Sequence, residues 1–241
     1  MSALVLKLIA AASMLVYHTG MRLFPGVDVF RMIGRLAFPI YAFFIAEGFR
    51  YTRSRVKYFL RIFLLGTACQ IVYAIAEKKT YIGILLTFSM SIVVMACVDL
   101  LKNSLKRDDE IVLNKYGRPF GIVLSALLCA AVIGTAYFIC SKVEVDYGFF
   151  GVMLPVFVSL FDGKYPRYIM FSLGTLAVCA ESGGLFGRFD LNGLMFQIYS
   201  VADIPLILLY NGKRGKYNLK YFFYIFYPAH LAILYLISMI I

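Results

Sequence analysis

Three ionisable residues, His18, Arg35 and Glu47, stand inside or at the edge of long apolar stretches near the start of the chain. They lie in KLIAAASMLVYHTG and FRMIGRLAFPIYAFFIAEGF, and the cation-rich RYTRSRVKYFLR follows at once. Placing such groups in hydrocarbon costs kilocalories each, so they are functional candidates by default. If the first span enters the membrane near residue 3, His18 lies about 22 Å further along a helix, in the outer third of the bilayer. An imidazole is the side chain matched to proton transfer near neutral pH. The plainer account is an interfacial histidine bonded to a carbonyl.

Arg31 and Arg35 are four apart and would share a helix face. The loop between the first two spans is short, so those spans are neighbouring antiparallel helices and Arg35 sits at a depth similar to His18. A cation there could keep an imidazole in its base form or polarise a carbonyl oxygen. Arg31 is expected to snorkel to the outer head groups. Further on, Arg50, Arg53, Lys57 and Arg61 fall at i, i+3, i+7 and i+11. On a continuous helix they would form one stripe, with Glu47 a turn before it and Arg55 off it. Two explanations stand: ordinary cytoplasmic positive charge, or a phosphate-bearing ligand, whose oxygens match guanidinium forks.

The elements that must position these groups are membrane helices. The 241 residues are 62% hydrophobic with mean hydropathy +0.83, and only 15% are charged, against about 25% in soluble domains. Residues 119–140 run without a charge, and 221–241 are broken only by His230; each suffices to cross a ~30 Å core. The expected fold is therefore all-α, a polytopic transmembrane helical bundle of about nine spans in a single domain, 1–241. The spans fall near 3–20, 30–48, 58–76, 82–101, 119–140, 147–161, 167–186, 192–210 and 220–240. The first is read as a span and not as a cleaved leader, because a second span follows it. The loops 50–57, 102–118, 163–167 and 213–220 hold fifteen Lys and Arg, the alternate loops six. By the positive-inside rule the basic set and the N-terminus are cytoplasmic. The net charge of +11 is then mostly a topology signal, suited also to anionic lipid, and no nucleic-acid motif accompanies it. With no Trp, the 18 Tyr supply most of the interfacial belt. The five cysteines are scattered through apolar spans without metal or CxxC spacing. No HExxH, GxSxG or metal-spaced His/Cys/Asp cluster occurs, so no metal is expected.

The end of the chain repeats the early theme. In YNGKRGKYNLKYFFYIFYPAH, Asn211-Gly212 makes a turn, Lys213, Arg214 and Lys216 add cations, and Tyr227, Pro228 and His230 follow in the last span. The loop has no Walker or Rossmann spacing but could close over a phosphate. Asp203, before Pro205, and Glu181 are further intramembrane carboxylates. Each of these groups could equally serve a neighbouring helix with a hydrogen bond.

LKLIAAASMLVYHTG, GRLAFPIYAFFIAEGFRYTRSRVKYFLR, DYGFFGVMLPV and IPLILLYNGKRGKYNLKYFFYIFYPAHLAILYLI together resemble the TraX family of integral membrane acetyltransferases, named for conjugative pilin acetylation. The similar segments lie at both ends and in the middle of the chain. The early His, the FF-x-x-EGF segment and the Arg-rich helix are also similar, more distantly, to the acyltransferase-3 group. The resemblance implies acetyl transfer from cytoplasmic acetyl-CoA to an amine or hydroxyl of an envelope acceptor, a pilin-like peptide N-terminus or a surface glycan, in the bacterial inner membrane. It implies His18 as general base and Arg50, Arg53, Lys57 and Arg61 as holders of the coenzyme's phosphates; from the residues themselves, Arg35 and Glu47 are candidates to assist His18, and Lys213 and Arg214 to add to the phosphate site. His230, Tyr227 and Asp203 are possible additions. The competing reading, from the same intramembrane charges, is a proton-coupled transporter or flippase for an anionic substrate. A structural assembly subunit leaves those charges without a purpose.

Overall fold

The computed structural model describes residues 1–77, 81–106, 117–184, 190–217 and 219–240. Among them the regular structure is helical, apart from a parallel bridge between Ile82 and Val145. Seven stretches are long and apolar enough to cross a membrane, so the architecture is an all-α, multi-pass membrane bundle. By internal contacts the chain forms two compact units, Met1–Ile45 with Phe161–Ile241, and Ala46–Leu160.

The first unit holds α1 (Ala3–Leu23), α2 (Asp28–Gly34) and the start of α3 (Ala37–Tyr51). It also holds α8 (Lys164–Ser182), α9 (Leu191–Gln197), a 3₁₀ turn (Ile198–Ala202), α10 (Asp203–Leu208) and α11 (Lys220–Ser238). The expected second span is not one uninterrupted helix. Pro39 has no N–H for the Arg35 carbonyl and its ring crowds it, so α2 stops at Gly34. The Arg35 and Leu36 amides instead bond three residues back, to Met32 and Ile33, at 3.2 Å each. Arg31 is within α2, and Arg35 is at its C-cap. The stretch expected at 192–210 is likewise assembled from α9, the 3₁₀ turn and α10, with Pro205 inside α10.

α1 packs against α2 and α11. The α1–α2 contact is reciprocal: a Cβ at Gly20 would strike Phe30, and one at Gly34 would strike the Tyr17 Cβ. Each helix thus offers a glycine to the other's aromatic ring. At the start of α1, the Ala3 and Leu4 amides donate to the carbonyls of Lys213 and Arg214 at 2.9 and 3.1 Å, and the Asn211 amide donates to the Met1 carbonyl at 2.9 Å. The Met1 ammonium meets the Leu209 carbonyl. The loop thereby satisfies donors that a helix start leaves orphaned.

The second unit is organised by α5 (Ile84–Lys106), which packs against α4 (Arg55–Glu77), α6 (Gly117–Lys142) and α7 (Gly148–Ser159). Its packed face carries Thr87, Ser89 and Ser91 beside Phe88, Ile92, Val94 and Met95, small residues that let helices approach closely. The buried Ser91 hydroxyl donates to the Val152 carbonyl at 2.7 Å. At 12 residues, α7 is about 18 Å long, too short to cross the membrane. Nearly all its middle is buried, and Lys102 Nζ donates to the Ser159 carbonyl at 3.0 Å, capping its C-terminal end. At its other end Tyr147 adopts a left-handed φ of 60°, and the Tyr81 hydroxyl donates to Asp146 at 3.1 Å.

Candidate functional site

In the first unit, His18 on α1 and His230 on α11 meet, with ring centroids 5.2 Å apart and planes inclined by 52°. Two residues separated by most of the chain are brought together because α1 and α11 pack side by side. The His230 ring is stacked on Phe226 at 4.9 Å and meets Tyr227 edge-on at 5.9 Å. Its Nδ1 lies 2.7 Å from the Phe226 carbonyl oxygen. The His18 ring meets Tyr17 edge-on at 5.1 Å.

Tyr17 is the residue that connects this pair to Arg35. The guanidinium carbon of Arg35 lies 5.5 Å from the Tyr17 ring centre, within cation–π range, and the neighbouring Gly34 gives Tyr17 its place against α2. Arg31 goes elsewhere, over Phe196 at 4.1 Å, with Asp28 at 4.0 Å.

Asp203 is completely buried, and neither carboxylate oxygen has a hydrogen-bond partner among the described residues. The same holds for Gln197 Nε2, one residue before the 3₁₀ turn. Near them, Cys179 Sγ and Ser200 Oγ approach to 3.5 Å. Such buried polar groups are expensive in hydrocarbon.

At the start of α1, Lys213 and Arg214 are fixed through their backbone carbonyls, with their exposed side chains on a loop held by Gly212 (φ 73°) and Gly215 (φ 102°). The Lys213 amide donates to Asn211 Oδ1 at 3.0 Å, the turn expected from Asn-Gly. Two further cations belong to this unit: Lys7 over Phe44 at 4.9 Å, and Arg167 over Phe43 at 5.4 Å. The rings beneath them form a buried cluster with Tyr168, Phe171 and Tyr210. The sequence offered Lys7 as the one cation in the first span and Arg167 as a loop charge, with no signal that both would lie on aromatic faces.

Glu47, Arg50, Arg53, Lys57 and Arg61 belong to the second unit. Glu47 is buried within α3, and Arg50 is exposed near the end of α3, five residues before α4 begins. The stripe expected of the four cations is not formed on a single helix. Residues 52–54 break the chain between α3 and α4, where the Thr52 hydroxyl donates to the Ser54 carbonyl at 3.2 Å. Lys57 and Arg61 share α4, and Arg61 Nε donates to the Lys57 carbonyl at 3.0 Å. Arg55 instead pairs with Asp99 on α5 and lies over Phe49 at 4.5 Å.

The fimbrial assembly protein FimC of serogroup H1 from Dichelobacter nodosus, itself described as probable, is 25% identical over 250 residues, spanning 97% of this chain and 94% of that protein. No solved structure matches. A family model described as TraX protein matches residues 2–238, nearly end to end, and the chain belongs to that family.

Proposed function

We propose that the protein is a membrane-embedded acetyltransferase, moving an acetyl group from cytoplasmic acetyl-CoA to an amine or hydroxyl of an envelope acceptor. The observation that carries this reading is the meeting of His18 and His230, whose rings lie 5.2 Å apart. Two imidazoles together in an apolar surround suit proton transfer better than packing. The acceptor's X–H loses its proton to His18 as X attacks the thioester carbonyl. The C–S bond then breaks, and the proton passes to the departing thiolate sulfur. Arg35, held beside Tyr17, is a cation that could offer charge to the developing oxyanion.

Lengths support donor binding at Lys213 and Arg214. Their loop is bonded to the first residues of α1, about 22 Å along the helix axis from His18. An extended pantetheine arm has about thirteen bonds from phosphorus to sulfur and spans roughly 16 Å, with arginine or lysine reach making up the difference. On this reading the N-terminus of α1 faces the cytoplasm and the imidazoles lie deep in the membrane. The second unit offers another set of cations for the phosphates: Arg50, Arg53, Lys57 and Arg61. The similarity to a protein named for fimbrial assembly favours a fimbrial subunit's N-terminal amine as acceptor, with a surface glycan hydroxyl as the alternative; mass spectrometry of the envelope after gene deletion separates them.

His18→Ala should abolish acetyl transfer while leaving thermal stabilisation of the detergent-purified protein by acetyl-CoA intact. Activity close to that of the unaltered protein would end the assignment. Replacing the two cation sets separately, and reading the same stabilisation, tells which one holds the donor. The buried carboxylate of Asp203 favours a second reading, proton-coupled transport of an anion. That reading predicts no stabilisation by acetyl-CoA.

A further inference from the structure

We propose that His230 is a positioning residue for His18, fixing its tautomer through an N–H···N hydrogen bond between the two rings. The catalytic consequence rests on the acetyl-transfer reading, whereas the bond itself does not. A carbonyl oxygen only accepts, so the 2.7 Å contact with Phe226 means that Nδ1 of His230 carries the proton and Nε2 keeps its lone pair. Nε2 has no hydrogen-bond partner among the described residues, in a side chain only 4% exposed. A buried acceptor of this kind calls for a donor.

The spacing of the rings selects that donor. Imidazole nitrogens lie about 1.1–1.2 Å from the ring centre, so an in-line N–H···N bond of about 2.9–3.0 Å sets the centroids roughly 5.2 Å apart. The observed separation is 5.2 Å. A half rotation of His18 about χ2 exchanges its nitrogen and carbon edges within the same packed outline, and the proposed bond is the one that such a rotation would make at this spacing. Phe226, stacked on His230, and Tyr17, edge-on to His18, hold the two rings in place.

A chain of polar groups then runs from the Phe226 carbonyl through His230 to His18. The His18 nitrogen bonded to His230 is committed as a donor, and its other nitrogen is left as the base. When that base takes the acceptor's proton, His18 becomes an imidazolium whose second N–H is already met by His230 Nε2. The proton leaves again to the thiolate sulfur, and His230 ends as it began. This is the logic by which a third group orients a catalytic histidine, here supplied by a second imidazole.

The chain contains two histidines, so ¹⁵N-imidazole labelling of the full-length protein in detergent gives a spectrum of four ring nitrogens. The expected result is His230 in the Nδ1–H form, with its Nε2 resonance displaced by a hydrogen bond that disappears in His18→Phe. Nε2–H at His230, or a His230 spectrum indifferent to His18→Phe, overturns the proposal. In acetyl transfer, His230→Leu should lower kcat about 100-fold with KM for acetyl-CoA within twofold. His230→Gln, whose carbonyl can accept the same N–H, should recover at least about a tenth of the original kcat. Equal losses in the two variants overturn the positioning role. If no acetyl transfer is found at all, the unaltered protein's spectrum still decides whether the rings are bonded, so that failure is distinct from failure of the function.

Discussion

Both units close buried hydroxyls on carbonyls, as at Thr175 and Ser200 in the first and Ser91 in the second, but they differ in what they leave open. In the second, the buried Ser91 hydroxyl is closed on the Val152 carbonyl, and the less buried Lys102, Tyr81 and Arg55 are closed on the end of α7, Asp146 and Asp99. In the first, His230 Nε2, Gln197 Nε2 and both oxygens of Asp203 are buried without a hydrogen-bond partner among the described residues. A fold built only for stability closes such groups, since each open one costs about 1–3 kcal/mol. On the proposed acetyl-transfer reading, the open groups of the first unit are the ones left for chemistry, and the closed groups of the second are architectural.

The largest effect that would break this division is expected at Gly34. A Cβ there meets the Cβ of Tyr17, the rigid root of the side chain, so rotation cannot relieve the clash and α1 and α2 must separate. Gly34→Val should destabilise by more than about 3 kcal/mol, beyond ordinary overpacking, and should displace Tyr17 from both Arg35 and His18. Thermal unfolding in detergent and acetyl transfer would both fall. A variant with unchanged unfolding would show that the α1–α2 approach does not position the site.

Lys102 tests the other unit. Lys102→Met keeps the stem but leaves the terminal carbonyls of α7 without their donor, at a cost of about 1–3 kcal/mol. Unfolding temperature should drop while acetyl transfer per folded molecule is retained. Loss of transfer in a normally stable Lys102→Met protein would mean that chemistry is not confined to the first unit.

How much of this was legible beforehand follows from which forces act locally. Apolar length and the spacing of charges are local properties, and they were enough for an all-α membrane architecture and for singling out His18, Arg35 and His230. The Asn211-Gly212 turn was equally plain. What periodicity could not foresee was interruption: Pro39 ends α2 at Gly34, residues 52–54 divide the Arg50–Arg61 run, and 191–208 becomes three short pieces. Nor could spacing bring His18 to His230, because that meeting depends on α1 packing against α11. Tyr17 went unnoticed because its role is to fill the space above a glycine on another helix.

Asp203 sharpens the comparison from within the first unit. If its open carboxylate serves proton-coupled transport, Asp203→Asn destroys function. If the protein transfers acetyl groups through the imidazole pair, the isosteric amide should preserve transfer within about threefold and raise stability by about 1 kcal/mol, by removing a buried ionisable group with no hydrogen-bond partner among the described residues. Acetyl transfer and unfolding temperature, measured on the same preparation, separate the two outcomes.

The smallest expected effect is at Ser91. Its hydroxyl reaches the Val152 carbonyl at 2.7 Å within a fully buried contact, and Ser91→Ala removes the donor with little change of volume. In soluble proteins such a bond is worth about 1 kcal/mol, whereas side-chain bonds between membrane helices average about 0.6 kcal/mol, since the unfolded helices find other partners in the bilayer. A loss near the lower figure, with acetyl transfer unchanged, fits a second unit whose closed polar groups are numerous and individually modest. A loss of 2 kcal/mol or more would instead mean that Ser91 holds α7 in place almost by itself, and that the second unit depends on single polar contacts as the first depends on its imidazole pair.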